Sequence, residues 1–113
     1  MRVIIAGGRD YDNYDGLLEA INEAQYEIST VVCGGATGVD ALGERYAREM
    51  NKPLDIYKAD WKAHGRGAGP VRNRKMAENA DALIAVWDGQ SRGTKHMIET
   101  ATSKGLLVYV KRV

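Results

Sequence analysis

Two near-continuous apolar runs in this chain stop on paired glycines, and that feature constrains the fold more than any other. The first is Val-Ile-Ile-Ala at 3–6, before Gly7-Gly8; the second occupies 28–33 and ends at Gly34-Gly35. A short β-branched run with no polar alternation reads as a strand covered on both faces, and such strands belong to parallel sheets with helices on each side. Glycine at the end of the strand lets the chain turn sharply and lets a ligand or another backbone come close.

Each run is followed by a helical repeat. Leu17, Leu18, Ile21 and Ala24 recur at helical spacing, with Asp12 as the expected cap and Asp15 in the first turn. Thr37-Gly-Val-Asp40 has the form of a capping box, with aspartate in place of the usual glutamate. Val39, Leu42, Tyr46 and Met50 then mark a buried stripe that Pro53 ends. A third strand is expected over 54–57, nearer an edge because it alternates. A glycine-rich loop follows over 60–69. Pro70 suits the start of a third helix running to about Asn79. The fourth strand is expected at 82–87, a last helix from Gly93-Thr94 to Gly105, and a fifth strand at 106–110. Regular strand–helix alternation implies an α/β fold: a Rossmann-like three-layer sandwich around a five-stranded parallel sheet. The expected order is 3-2-1-4-5, with its switch-point crevice between the first and fourth strands.

The 113 residues make one domain, 1–113, with a modest core. Apolar residues are 44% and charged residues 27%, as in a globular chain rather than a disordered one. The net charge of +1 provides no global basic field, so nucleic acid is not expected as a partner. No run approaches membrane-spanning length, and the amino-terminal apolar run is too short for a signal peptide. Cys33 is the single cysteine and has no internal disulfide partner, which fits a reducing, cytoplasmic location. One cysteine and two histidines without zinc spacing imply no metal site. Neither a Walker pattern nor Gly-x-Gly-x-x-Gly occurs, and no cofactor is implied.

In a parallel sheet the loops that leave the strand ends share one rim. Here those loops are Gly7-Gly8-Arg9-Asp10, Gly34-Gly35-Ala36-Thr37-Gly38, Asp60-Trp61 leading to Gly69-Pro70, and Asp88 through Ser91-Arg92-Gly93-Thr94. Any α/β domain carries some glycine at such turns. Several glycine-bearing loops on one rim point further, to a ligand site whose amides and helix starts suit an anion. Arg72, Arg74 and Lys75 lie in the first turns of the third helix, and Lys95 and His96 in the first turn of the fourth, after Arg92. Cations there oppose the helix dipole, an arrangement that a bound phosphate would offset. Arg74 and Lys75 also read simply as solvated side chains, whereas Arg72 is expected to face the crevice. Asp10, Asp40 and Asp88 are the acidic candidates, to orient an arginine, hold a ribose hydroxyl or act as a base. Asp40 is more readily a support for its helix start. Trp61 and Trp87 are candidates to stack on a base, although tryptophan at a strand end commonly packs. His64 has no assigned role.

Three segments together resemble a known group. They are Gly-Gly-Ala-Thr-Gly-Val-Asp at 34–40, Ala-Asp-Trp-Lys-Ala-His-Gly-Arg-Gly-Ala-Gly-Pro-Val-Arg-Asn-Arg-Lys-Met at 59–76, and Ala-Asp-Ala-Leu-Ile-Ala-Val-Trp-Asp-Gly at 80–89 with Ser-Arg-Gly-Thr at 91–94. The chain resembles the YspA-type family of the SLOG superfamily over essentially its whole length. That superfamily also holds the Lonely Guy phosphoribohydrolases and the DprA/Smf DNA-processing proteins. The resemblance implies a Rossmann-type binder of nucleotides or nucleotide-derived ligands. The Lonely Guy enzymes carry an arginine nine residues before the aspartate that opens their fourth strand, and counting back from Asp81 reaches Arg72. Gly93-Thr94 match their second motif, but its catalytic glutamate falls on Met97, and Glu99 lies on a different helix face. The resemblance thus carries phosphate binding over and leaves glycosidic hydrolysis behind.

Three functions compete at this stage. The first is binding, for sensing or sequestration, of a nucleotide-derived small molecule, with phosphate on the 34–38 and 93–94 amides and with Arg72 and Arg9 as charge partners. The ligand residues on this reading are Gly7, Gly8, Arg9, Asp10, Gly34, Gly35, Ala36, Thr37, Gly38, Asp40, Asp60, Trp61, Gly69, Arg72, Asn73, Asp88, Ser91, Arg92, Gly93 and Thr94. The second is a nucleoside-5′-monophosphate phosphoribohydrolase. Arg72 would be catalytic there, with Asp88, Asp10 or Glu99 replacing the missing carboxylate. The third is single-stranded nucleic acid binding through Arg72, Arg74, Lys75 and Arg92. A homodimer is expected from the pairing habits of related folds.

Overall fold

The structure, a computed structural model, describes residues Met1–Val113. The five strands are β1 (Arg2–Gly7), β2 (Thr30–Cys33), β3 (Leu54–Ile56), β4 (Ala82–Trp87) and β5 (Leu107–Arg112). They form one parallel sheet in the order β3-β2-β1-β4-β5, the order expected from the sequence. Between them run α1 (Tyr14–Ala24), α2 (Val39–Glu49), α3 (Trp61–His64), α4 (Ala68–Glu78) and α5 (Arg92–Ser103).

Alternate residues of the central strands divide the core in two. Val3, Ile5, Val31, Cys33, Ile84 and Val86 face α1 and α2, where they meet Leu17, Ala20, Val39, Tyr46 and Ala47. Ile4, Ala6, Val32, Leu83 and Ala85 face α4 and α5, meeting Met76, Ala77, Met97 and Ala101. Both faces of β1 and β4 are therefore buried, and this is why their sequences show no polar alternation. At 25 cal/mol per Å², each large aliphatic side chain so buried stabilises the fold by roughly 1.5–3 kcal/mol.

Several local expectations need correction. Asn13, not Asp12, caps α1: its Oδ1 accepts from the Gly16 amide at 3.1 Å. The capping box at 37–40 does not form. Gly38 is the cap residue and donates no side chain, Thr37 Oγ1 donates instead to the Arg9 carbonyl, and Asp40 reaches back to the Ala36 amide. Met50 lies beyond α2 and is 50% exposed, because the chain leaves the helix there with Asn51 in the left-handed region. Gly43 and Ala47 close the buried stripe instead. The expected loop at 60–69 is largely helical. Asp60 caps α3 through the Ala63 amide, and a 3₁₀ turn over Gly65–Gly67 leads directly into α4. Pro70 consequently falls third in α4 rather than first, still within the turn whose amides lack helical partners. β2 begins at Thr30, and β5 extends to Arg112.

Candidate functional site

The crevice at the switch point between β1 and β4 opens into a cavity of about 650 Å³ at the carboxyl edge of the sheet. Gly7, Gly8, Arg9 and Asp10 line it from the turn after β1, Ala36 and Asp40 from the turn after β2, and Arg72 and Asn73 from α4. Asp88, Ser91, Gly93 and Thr94 line it from the turn into α5. A second cavity of about 380 Å³ adjoins the first and shares Arg9, Ala36 and Arg72 with it. Gly34, Gly35, Thr37 and Trp61 complete its wall together with Lys58 and Ala59.

Arg72 stands where the two cavities meet. Its Nη1 donates to the Gly34 carbonyl at 2.7 Å, and its Nε to Asn73 Oδ1 at 3.0 Å. Burial holds the guanidinium below its ordinary pKa, Asp40 opposes that shift and Arg9 adds to it. The group remains a cation at any physiological pH. Asn73, itself buried, extends the chain of contacts. Its Nδ2 reaches the Gly93 carbonyl at 3.4 Å and His96 Nδ1 at 3.1 Å. One arginine and one asparagine thereby tie the β2 turn to the first turn of α5.

The turns owe their shape to two glycines. Gly34 carries no side chain because a Cβ there would strike the Arg72 guanidinium and lie 2.8 Å from Asp40 Oδ2. Gly38 has φ of 71° and leaves no room for a Cβ against the Gly8 carbonyl. The close approach lets the Val39 amide donate to Gly8 O at 3.1 Å, which locks the first two turns together. The amides of Thr37 and Gly38 donate to no protein acceptor, nor do those of Arg92 and Gly93 in the open first turn of α5. These unused donors and two helix N-termini give the rim positive potential.

Three carboxylates lie near it, in different states. Asp40 is only 6% exposed, and desolvation raises its pKa despite the Ala36 amide and Arg72. Asp88 accepts from the Gln90 and Ser91 amides, both at 2.8 Å, and those bonds lower its pKa. Such a carboxylate holds its loop and is a weak base. Asp10 is exposed at the mouth.

Not every sequence-predicted site residue lines a cavity. Gly38 lies beneath Gly8 and Arg9, Asp60 is occupied as the cap of α3, and Arg92 is exposed outside the walls. Gly69 lies outside both walls, where a Cβ would come 3.9 Å from the tip of the Trp61 ring. Arg74 and Lys75 are solvated on the outer face of α4. Trp87 is anchored by its Nε1–H on the Ser91 carbonyl at 3.1 Å, with the Arg112 guanidinium over its ring. Sequence reasoning missed Lys58, Tyr11, Met76, Met97 and Val113 as wall residues. Lys58 was legible in principle, since it follows β3 onto the same rim. Val113 was not, because its place depends on β5 running to Arg112.

Met97 is 1% exposed and forms part of the wall of the larger cavity, while Glu99 is turned to solvent. The position that resemblance to the Lonely Guy enzymes assigns to a carboxylate is therefore apolar core.

Comparison with known proteins gives the same family. The sequence model of the YspA, cpYpsA-related SLOG family matches residues 1–64, a stretch that takes in the first two glycine turns and Trp61. Gene 61 protein of Mycobacterium phage D29 is 34% identical over 117 residues, covering 95% of this chain and 93% of that protein. The X-ray structure of DNA processing protein A (DprA) from Streptococcus pneumoniae superposes with a TM-score of 0.73 at 17% identity. That likeness is one of fold alone; it covers 96% of this chain and 49% of DprA, so the chain spans about half of that protein. The glycine turns, the sheet order and the sequence match together make this chain a member of the YspA, cpYpsA-related SLOG family.

Proposed function

We propose that the chain binds a nucleotide or nucleotide-derived small molecule, with a phosphate held in the crevice between β1 and β4. The observation that supports this most is the inward position of Arg72, fixed on the Gly34 carbonyl beside amides that have no protein acceptor. Phosphate would satisfy the Gly93 amide, which lines that crevice, and take charge-assisted bonds from Arg72 and Arg9. The cavity of about 650 Å³ is within the range of small-molecule sites. Binding would serve sensing or sequestration.

The hydrolytic alternative has little to work with. Asp88 is acidified and tied to its own loop, Glu99 faces solvent, and Met97 occupies the position of the Lonely Guy enzymes' glutamate. A panel of nucleoside monophosphates separates the readings. Binding is expected to raise the melting temperature without releasing free base. A ligand at a hundred times its dissociation constant adds about 2.7 kcal/mol. Base release lost in Arg72→Ala would establish hydrolysis instead.

A further inference from the structure

A single nucleotide seated in the crevice between β1 and β4 leaves the smaller cavity unfilled. It lies beside the crevice, and Arg9 and Arg72 form the partition between the two. Its other cation is Lys58, and its outer wall is Trp61, which is 53% exposed. A tryptophan with half its surface in water, beside three cations, is a poor packing element. It is a good platform for an aromatic ring that carries or adjoins negative charge. The sequence favours holding it there, because Asp60 caps the short helix that carries it.

We infer that the ligand is a dinucleotide, two nucleosides joined through phosphate, with one nucleoside in the crevice and the second base stacked on Trp61. This rests on the proposed phosphate site and specifies its occupant. The linking phosphate crosses the partition, where Arg9 and Arg72 face both cavities at once. Lys58 meets charge on the second nucleotide. The two cavities measure about 650 and 380 Å³ and share walls, so one linked molecule gains from both without a second loss of translational freedom. A polynucleotide is disfavoured by the chain's net charge of +1.

The test uses the full chain and isothermal titration with 5′-phosphorylated ribodinucleotides, the four nucleoside monophosphates and dodecathymidylate. At least one dinucleotide is expected to bind about tenfold or more tightly than either of its constituent monophosphates. Trp61→Ala and Lys58→Ala are expected to weaken that dinucleotide about tenfold, and to weaken it several times more than they weaken either of its monophosphates. Trp61 and Lys58 are exposed, so both variants fold. A dinucleotide that binds no tighter than its monophosphates, or whose affinity is indifferent to Trp61, would overturn this inference and leave the phosphate site standing. Tighter binding of dodecathymidylate than of every dinucleotide would also overturn it, in favour of single-stranded nucleic acid. Failure of monophosphates and dinucleotides alike would remove the phosphate site and this inference together.

Discussion

Arg72 Nη1 rests 2.7 Å from the carbonyl oxygen of Gly34, joining the fourth helix to the turn that ends the second strand. The bond exists only because Gly34 has no side chain; a Cβ would occupy the place of the guanidinium. Gly34→Ala should therefore expel Arg72 from the partition and abolish stabilisation by nucleotide. The overpacking cost is about 1–3 kcal/mol, or very roughly 4–8 °C of melting temperature for each kcal/mol. Thermal unfolding with and without ligand reads both effects. Full ligand response in Gly34→Ala would contradict the assignment.

Asn73 should matter nearly as much as Arg72, through geometry. It accepts from Arg72 Nε and reaches Gly93 and His96 on the last helix. Asn73→Ala removes the acceptor and leaves the partly buried guanidinium underbonded, at about 1–3 kcal/mol. Asn73→Asp retains the acceptor toward Arg72 but loses the donor toward Gly93. If Arg72 alone carries binding, the aspartate variant keeps more ligand affinity than the alanine variant. Titration of both with the same nucleotide decides this.

Asp40 makes stability depend on pH in a direction opposite to that of most carboxylates. Burial raises its folded pKa above the ordinary 3.8, against the pull of Arg72 and with a small push from Glu44. The folded state therefore holds the proton more tightly than the unfolded chain. The stability this contributes is complete below pH 3.8 and is lost as pH rises through the raised value. Asp40→Asn keeps an acceptor for the Ala36 amide and has no proton to lose. Its melting temperature should exceed that of the unsubstituted protein near neutrality, with the gap closing toward pH 3.8. A gap that widens on acidification would show that the Arg72 interaction outweighs burial.

The sheet was legible in the sequence because burial on both faces leaves a plain signature. The runs Val3–Ala6, Val31–Cys33 and Ala82–Trp87 carry apolar residues without polar alternation, and the glycines after the first two announce their turns. The rim was legible for a related reason: a parallel sheet puts every outgoing loop at one edge. What the sequence hid was chosen by tertiary contact. Asp12 and Asn13 are equally good caps on paper, and it is Asn13 that takes the extended cap conformation and the Gly16 amide. Thr37 and Asp40 have capping-box spacing, but the close approach of Gly38 to Gly8 turns them to other partners. Glycine density at 65–69 suggests a loop, whereas continuity with the fourth helix winds it into helical turns.

The choice between Asp12 and Asn13 is itself measurable. Asn13→Ala should cost about 1 kcal/mol as the loss of a helix cap, and Asp12→Ala no more than about 0.5 kcal/mol as an exposed change. Urea unfolding of the two variants resolves the difference. Equal costs would return the cap to Asp12.

The central claim concerns particular nitrogens, and an ¹⁵N-resolved nuclear magnetic resonance titration observes them one by one. The probe is whichever nucleoside monophosphate or ribodinucleotide stabilises the protein most. The account expects the Gly93 amide and Arg72 Nε, which line the crevice, to shift together and to saturate at one affinity. Silence at both groups under every nucleotide, or saturable shifts confined to another face, would contradict it.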